Sequence, residues 1–570
     1  MIKILFYHCN DTLGVSKDNR QIYLGVSSLY LKTHIDKTDT DLSSQLEWMV
    51  PIQQKMSDQN LIDYINFHKP DVFCTSNYIW NHSSIMDQLK NIHDKVSHDI
   101  CIVSGGPSID VNIDPDFFSK YPFVDYAIYG AGEVAFRDII SSLLNKEKLI
   151  AFNTSNVAWY DANKKKQVVA EFKYVPQLKW SPYLNNVDFF TKIIKIEQDK
   201  NISVVLPYDL TRGCPYSCTF CDWNSGLTNK TTRRKGTFKD EIDLFQKLKI
   251  QNLYLSDANV GQYDEDIEMI SYMAQKNLEE GTNFKVDGNF SKLRKENNLK
   301  IYHIMAKSNL LTEYAGFTIS VQDTNPMILK NINRPDVGWE VHKQMIRELK
   351  ECYPNIHSKV QLIQGLPGQT VQSWRNTLKE VSKENLQLQI FISELLSASP
   401  AARSQEYKEN FNFSYSSSLR FNGNDYYRGY FSESCASFTK KDFVKMTILS
   451  HFYTAIVYVK SQWHETFDCE TVVDYFLQSE IYQMLEYNLW DNWQNHDKFY
   501  YSVNFDGKQQ DTSACFIFST SQIWAVNMKF IRLIFDCLYT KHKAKDIFKK
   551  YLVREKDSLK VNIKLLEGYN

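Results

Sequence analysis

The sequence predicts an α/β protein with a Rossmann-like parallel sheet first, a partial (β/α)6 barrel next and a mostly helical C-terminal region last. Three observations predict it. Short apolar runs alternate with longer helical stretches over residues 1–150, the pattern of a parallel sheet with helices on both faces. The alternation resumes over residues 201–400, with roughly six strand candidates, enough for a partial parallel barrel. Beyond residue 400 it gives way to long segments rich in Trp, Tyr and Phe.

In the first unit, strands are expected at Ile2–Tyr7, Asp71–Thr75, Ile100–Ser104 and Tyr126–Tyr129, and helices at Ser57–His68, Ser83–Val96 and Val134–Leu144. The first two helices open on serine, a preferred N-cap. Two strand ends carry glycines, in Ser104-Gly105-Gly106-Pro107-Ser108 and in Gly130-Ala-Gly132-Glu133. Glycine permits positive φ and close backbone approach to a ligand. Taken alone such loops are as often tight turns. Residues 151–200 read as a connector. Within it Val157–Tyr160 and Gln167–Phe172 flank a polar turn that suits a hairpin.

Barrel strands are expected at Ser203–Leu210, Asn252–Ser256, Asn283–Val286, Ala315–Val321, Lys359–Ile363 and Gln387–Ile392. Parallel barrels place their active sites at the carboxyl ends of the strands. There the sequence carries Thr211-Arg-Gly-Cys214-Pro-Tyr-Ser-Cys218-Thr-Phe220-Cys221-Asp-Trp223. Thiolates are the preferred ligands of iron–sulfur clusters, and this spacing lets one loop wrap one cluster. A [4Fe–4S] cluster held by three cysteines keeps one iron open, and an open metal position accepts a substrate. A structural zinc site would need a fourth ligand, usually in two separated pairs, and the next cysteine is Cys352. Three buried, inert cysteines are the plainer reading.

The cysteine spacing, with its aromatic before the last Cys, resembles the radical SAM superfamily. That resemblance implies S-adenosylmethionine (SAM) on the open iron and one-electron cleavage to a 5′-deoxyadenosyl radical. It implies Phe220 and Trp223 beside cluster and SAM, and SAM contacts from the strand-end loops at Asp257 and at Ser320 and Gln322. Asp257 and Ser320 could instead cap helices. Gly365-Leu-Pro-Gly368-Gln-Thr370 matches a loop common in these enzymes and equally suits a chain turn. The segment 102–136 resembles the cobalamin-binding domain of B12-dependent radical SAM enzymes, and the resemblance places cobalamin along Ser104, Gly105, Gly106, Pro107 and Ser108, with Gly130, Gly132 and Glu133 closing the pocket. The stretch after the first strand lacks the Asp-x-His-x-x-Gly spacing that supplies a cobalt ligand, so His8 and Cys9 read as core residues.

The units expected are therefore a B12-binding-like domain at 1–150, the connector at 151–200, a radical SAM core at 201–400 and a helical, substrate-shaping region at 401–570. Helices are expected at Lys441–Gln462, Thr471–Trp493 and Ile523–Leu538. Polar residues within the last make it a buried helix, not a membrane span. Arg212, Lys230, Arg233, Arg234 and Lys235 could hold an anionic substrate or a cobalamin phosphate, though such runs are usually solvated. The leading function is C-methylation of an unactivated carbon in a peptide or natural product. A radical peptide epimerase, with Cys435 returning a hydrogen atom, is the alternative. A non-catalytic cobalamin or cluster sensor comes third. Cys435 also reads simply as a small buried residue.

Composition narrows the classes. Lysine plus arginine number 66 against 67 acids, a net charge of −1, which gives no electrostatic case for nucleic acid or an anionic membrane. Eleven cysteines without regular spacing argue against a secreted disulfide framework. A reduced cytoplasm is expected, with an electron donor such as flavodoxin or ferredoxin.

Overall fold

A computed structural model describes residues 1–479 apart from 13–19, 110, 112–113, 174–178, 224–229, 313–314, 397–398, 422–425 and 464–467, together with 482–483, 486–487, 500–501 and 514–515. The predicted helix at Ile523–Leu538 lies outside the described residues.

The first sheet opens with β1 (Ile2–Asn10). After β2 (Arg20–Tyr23), which pairs elsewhere, follow β3 (Leu46–Trp48), β4 (Ile52–Gln54), β5 (Val72–Ser76), β6 (Cys101–Gly105), β7 (Tyr126–Ile128), β8 (Val157–Asp161) and β9 (Lys166–Val169). The order is β3-β1-β5-β6-β7-β8-β9, with β4 also on β1. Pairings are parallel as far as β7. The order reverses between β1 and β5, and doubly wound sheets bind ligands at such a switch point, outside the carboxyl ends. Leu5 and Tyr7 feed one core and Ile4 and Phe6 another, so both faces of β1 are covered, as parallel strands require.

The predicted strands and helices of this unit are present with shifts of one to three residues. Ser57 caps the helix Asp58–His68 by accepting from Asn60 N at 3.3 Å. Ser83 does not cap the next helix, which starts at His82 after Asn81. The Val157–Phe172 hairpin forms. Asp161 Oδ1 closes its turn by accepting from Asn163 N at 3.0 Å and Lys164 N at 3.2 Å. It is more than a connector, because β8 pairs antiparallel with β7 and extends the first sheet.

The second sheet system starts at β10 (Ile202–Tyr208). A small antiparallel ribbon, β11 (Thr211–Gly213) with β12 (Thr231–Arg233), precedes β13 (Asn252–Val260), β14 (Lys285–Phe290), β15 (Phe317–Gln322), β16 (Ser358–Gln364) and β17 (Gln387–Ile392). All six expected barrel strands are there, as two parallel arcs, β14-β13-β10-β2 and β15-β16-β17. A bridge from Val286 to Leu311 continues the first arc toward the second. The structure adds a seventh strand, β2, which lies parallel to β10 from Ile202↔Arg20 to Val205↔Tyr23. Four residues, Arg-Gln-Ile-Tyr, are too short for periodicity to register. The chain thus leaves the first sheet, edges the second, and returns through the helix Ser27–Thr38.

The C-terminal region carries the expected helical segments and adds strands that were not expected. An antiparallel hairpin, β18 (Ser414–Phe421) with β19 (Tyr426–Ser434), precedes the helices Lys440–Trp463 and Cys469–Leu477. Its Asn-Gly-Asn-Asp junction is a hairpin composition that the aromatic content masked. Trp374 of the helix Val371–Ser382 is fully buried and donates to Ser450 Oγ at 2.9 Å, which seats the long C-terminal helix on the barrel. Among the described residues no helix is long and apolar enough to cross a membrane.

His8 and His451 are 2% and 9% exposed, and burial lowers each imidazole to about 4. Both stay neutral in the fold, whereas an unfolded histidine takes a proton near pH 6.5. Stability is therefore full above pH 6.5 and falls as pH drops from there toward 4, by up to about 3 kcal/mol for each group. Thermal unfolding at pH 7 and pH 5 checks this. The His8→Gln variant should lose less between the two than wild type, and equal losses would refute the assignment.

Candidate active site

Folding places the cysteine loop at the carboxyl end of β10, launched from the ribbon at Gly213, whose φ is 83°. Three backbone bonds hold it: Thr219 N to Ile332 O at 2.9 Å, Cys221 N to Cys218 O at 3.1 Å, and Ala401 N to Thr219 O at 2.9 Å. Cys214, Cys218 and Cys221 line one cavity of about 140 Å³ with Tyr216, Phe220, Trp223, Ala258, Asn289, Lys292, Ser320, Gln322 and Arg334. None of the three is in a disulfide. Burial pushes the Cys221 thiol up to about 12, so without a metal it stays protonated at neutral pH. Among the described residues no trio of His, Cys, Asp or Glu converges as single-ion ligands do. Ligands of a multi-iron cluster bind different irons and need not converge. Three thiols outside any disulfide on one cavity wall, with two cations beside them, fit a cluster that has one open iron.

The predicted SAM contacts divide. Ser320 and Gln322 line the cavity. Ser320 Oγ donates to Gln361 Oε1. Gln322 sits at φ 71° and its Oε1 is a buried acceptor with no partner, which costs free energy unless a ligand donates to it. Asp257 does not line the cavity. Its carboxylate turns away to accept from Leu210 N at 3.0 Å, and burial with nearby Asp209 raises it to about 7. The next residues face the site in its place. Ala258 lines the cavity, and Asn259 Nδ2 donates to Cys214 Sγ at 3.2 Å. Phe220 packs on Ile328, Ile332 and Leu366, while Trp223 is 42% exposed.

Lys292 and Arg334 were not assigned from sequence. Lys292 Nζ donates to Asn259 Oδ1 at 3.1 Å, and Arg334 donates to the Ser320 carbonyl. Burial lowers the affinity of both for their protons, and for Lys292 the neighbouring Arg334 adds to this. Asn289 and Lys292 follow the third predicted barrel strand, so its carboxyl end was the signal available. The Gly365–Thr370 loop is structural. Gln369 Oε1 accepts from Gly365 N and Leu366 N, its Nε2 donates to Asp323 Oδ2, and Thr370 caps the next helix. Cys435 is not brought to the cavity. It lies in the apolar core near Phe438, its Sγ 3.2 Å from Ser437 Oγ.

At the first sheet, the Ser104–Ser108 and Gly130–Glu133 loops end the neighbouring strands β6 and β7. Ser104 is buried against Thr75 Oγ1 at 2.9 Å, and Pro107 is exposed. Gly106 has φ 113°, and a Cβ there would lie 2.4 Å from Asn77 O, so only glycine lets the loop close on β5. Gly130 has φ 72° and is exposed. Adjacent backbone without side chains suits a large flat cofactor. His8 is buried in the first sheet, and its Nε2 has no hydrogen-bond partner.

The basic run divides, its lysines solvated and its arginines paired inside. Arg234 and Glu241 pair at 2.9 Å with both side chains 0% exposed, and Arg233 pairs with Asp266 at 2.7 Å. Lys230 and Lys235 are exposed. Arg212 binds Asp209 Oδ2 through Nε at 3.3 Å and Glu133 Oε1 through Nη1.

Residues 208–381 match the Radical SAM superfamily. The chain is 28% identical over 364 residues to the cobalamin-dependent radical SAM methyltransferase TokK of Streptomyces tokunonensis, covering 63% of this chain and 51% of that protein. It is 27% identical over 316 residues to the 2-(S-pantetheinyl)-carbapenam-3-carboxylate methyltransferase of Streptantibioticus cattleyicolor, covering 54% and 44%. The chain thus spans about half the length of these relatives. Among solved structures, OxsB with aqua-cobalamin and SAM bound is similar at TM-score 0.57 and 15% identity, over 99% of this chain and 82% of that one. TsrM from Kitasatospora setae, with cobalamin and [4Fe–4S] cluster bound, gives 0.53 and 11%, over 80% and 95%. At these identities the structural likeness is one of fold.

Proposed function

We propose that this chain, which carries a radical SAM domain over residues 208–381, is a cobalamin-dependent C-methyltransferase acting on an unactivated carbon of a peptide or natural product. The observation that carries the reading is the shared cavity. Three thiols, two cations and the unpartnered Gln322 carbonyl oxygen meet there. The curated relatives named as cobalamin-dependent or carbapenam methyltransferases support the same class.

In this reading Cys214, Cys218 and Cys221 hold a [4Fe–4S] cluster, and the Ser104–Ser108 and Gly130–Glu133 loops hold cobalamin. When bound, the cluster supplies the electron that cleaves SAM and cobalamin carries the methyl group. The chain binds, orients and dries the site. Lys292 has N–H groups left after its bond to Asn259 and takes the SAM carboxylate. Gln322 Oε1 accepts from the SAM amino group or a ribose hydroxyl. Phe220 and Trp223 shield the reacting atoms from water. A flavodoxin or ferredoxin supplies the reductant.

Lys292→Met should raise the Kd for SAM about 10- to 100-fold, the worth of one buried charged hydrogen bond, with iron content unchanged. Equilibrium dialysis of anaerobic protein measures this, and wild-type affinity would remove Lys292 from the site.

The function itself is tested by SAM turnover of anaerobically reconstituted protein with cobalamin, a strong reductant and candidate substrates, followed by mass spectrometry. S-adenosylhomocysteine and 5′-deoxyadenosine together, with one methyl gained by the substrate, support it. 5′-Deoxyadenosine alone, with solvent deuterium entering the substrate, would move the assignment to an epimerase, whose hydrogen donor would have to be sought at a residue other than Cys435.

A further inference from the structure

The carboxyl ends of both sheets converge on one guanidinium. Arg212 follows β10, two residues before Cys214. Its Nε binds Asp209 Oδ2 at 3.3 Å and its Nη1 binds Glu133 Oε1. Its Cζ lies 4.2 Å from the ring centroid of Tyr30, whose hydroxyl donates to the same Asp209. Tyr30 sits on the helix that returns from β2. Glu133 opens the helix Glu133–Asn145 directly after Gly132, and its side chain is only 4% exposed. Tyr78, just after β5, lies within electrostatic range of Arg212 and Asp209.

The Glu133 and Asp209 contacts are charge-assisted, the second longer at 3.3 Å, and the Tyr30 ring covers the guanidinium. Planar guanidinium forks read carboxylate geometry in a way an ammonium cannot. Glu133 also sits where a helix N-terminus favours negative charge. The path from the glycine turn of the first sheet to the first cysteine of the second runs through Glu133, Arg212 and Gly213 alone. Such a path has little slack.

We propose that Arg212 is a positioning residue, which registers the Gly130–Glu133 turn against the cysteine loop and so sets where a corrin held at that turn stands relative to the cavity. The proposal rests on the cobalamin reading above. Glu133 acts through Arg212 and does not itself ligate the cofactor. Methyl transfer needs the two cofactors at a fixed separation, because misplacement of about 1 Å can cost about 100-fold in rate.

The test is a double-mutant cycle read first by binding. Hydroxocobalamin is titrated into cluster-loaded wild type, Glu133→Gln, Arg212→Gln, the double variant and Arg212→Lys, and free cobalamin is measured by absorbance after ultrafiltration. Iron content and circular dichroism confirm that each variant is folded and loaded. If Glu133 works through Arg212, both single variants and the double raise the cobalamin Kd by the same factor, about 10-fold, since residues acting as one unit are not additive. Arg212→Lys falls between. Methylated product per 5′-deoxyadenosine drops in the same order, a ratio that plain destabilisation does not move. Losses that multiply in the double variant, or wild-type affinity in Arg212→Gln, overturn the proposal. If wild type binds no cobalamin, the proposed function falls with it. If wild type binds and the variants match it, only the positioning role falls.

Discussion

Alanine at any one of Cys214, Cys218 or Cys221 is expected to remove the cluster and with it reductive SAM cleavage. A cluster left with two protein ligands loses the closed wall that the three sulfurs form around it. Loss of an outer-shell partner alone typically costs about 10- to 100-fold in metal affinity, so loss of a ligand should exceed about 100-fold. The loop is held by backbone bonds to Ile332 and from Ala401, not by the thiols, so the fold should survive. Iron and sulfide per chain, together with 5′-deoxyadenosine formed under a strong reductant, measure the effect. Cys352→Ala is the matched control, because Cys352 is exposed and outside the cavity. A cysteine variant that keeps its iron and still cleaves SAM would overturn the assignment of that residue.

Arg234→Met should be the most destabilising single change in the barrel. Arg234 and Glu241 are paired at 2.9 Å with neither side chain exposed. Arg234 Nη2 also donates to Asp209 O at 2.9 Å, and Glu241 accepts from Tyr208 Oη at 2.7 Å. Removing one member leaves a buried charge without its partner, which costs about 3–5 kcal/mol. Removing both charges is different, because no ion then remains in the low-dielectric interior. Arg234→Met with Glu241→Leu should therefore regain most of the loss. A residue of about 1–3 kcal/mol stays for the orphaned Tyr208 hydroxyl. Thermal unfolding followed by circular dichroism checks both variants. A single variant within about 1 kcal/mol of wild type would show that water or rearrangement rescues Glu241.

The bonds of Arg212 and Arg234 share Asp209, and through Asp257 the same network reaches the strand that carries Asn259. The polar layer beneath the cysteine loop is thus one connected unit. Buried networks of this kind are demanding, since a half-satisfied one is worse than none. Within the run from Lys230 to Lys235 the two arginines are paired inside and the two end lysines stay exposed.

Much of this was legible along the chain because the signals are local. Apolar periodicity and turn residues act over fewer than about ten residues, and they marked β1, β5, β6 and β7 of the first sheet, the six longer strands of the second and the Val157–Phe172 hairpin, but not the short strands β2, β3 and β4. Three cysteines within eight residues marked the cavity, because one loop must carry them together. The glycines at 106 and 130 were visible as exceptions to ordinary backbone geometry.

Tertiary packing decided the rest, and in each case the partners are far apart in sequence. Glu133 and Arg212 are 79 residues apart, and β2 pairs with a strand about 180 residues downstream. Neither periodicity nor spacing reports which long-range groups meet. Side-chain direction was also undecided. On β13, Asp257, Ala258 and Asn259 are neighbours, yet Ala258 and Asn259 face the site and Asp257 does not, because the register against β14 shifts between Leu255 and Val260 and the regular alternation of a strand is broken there. The strand-end position favoured the aspartate as the ligand contact; the irregular end of the strand turned it toward Leu210.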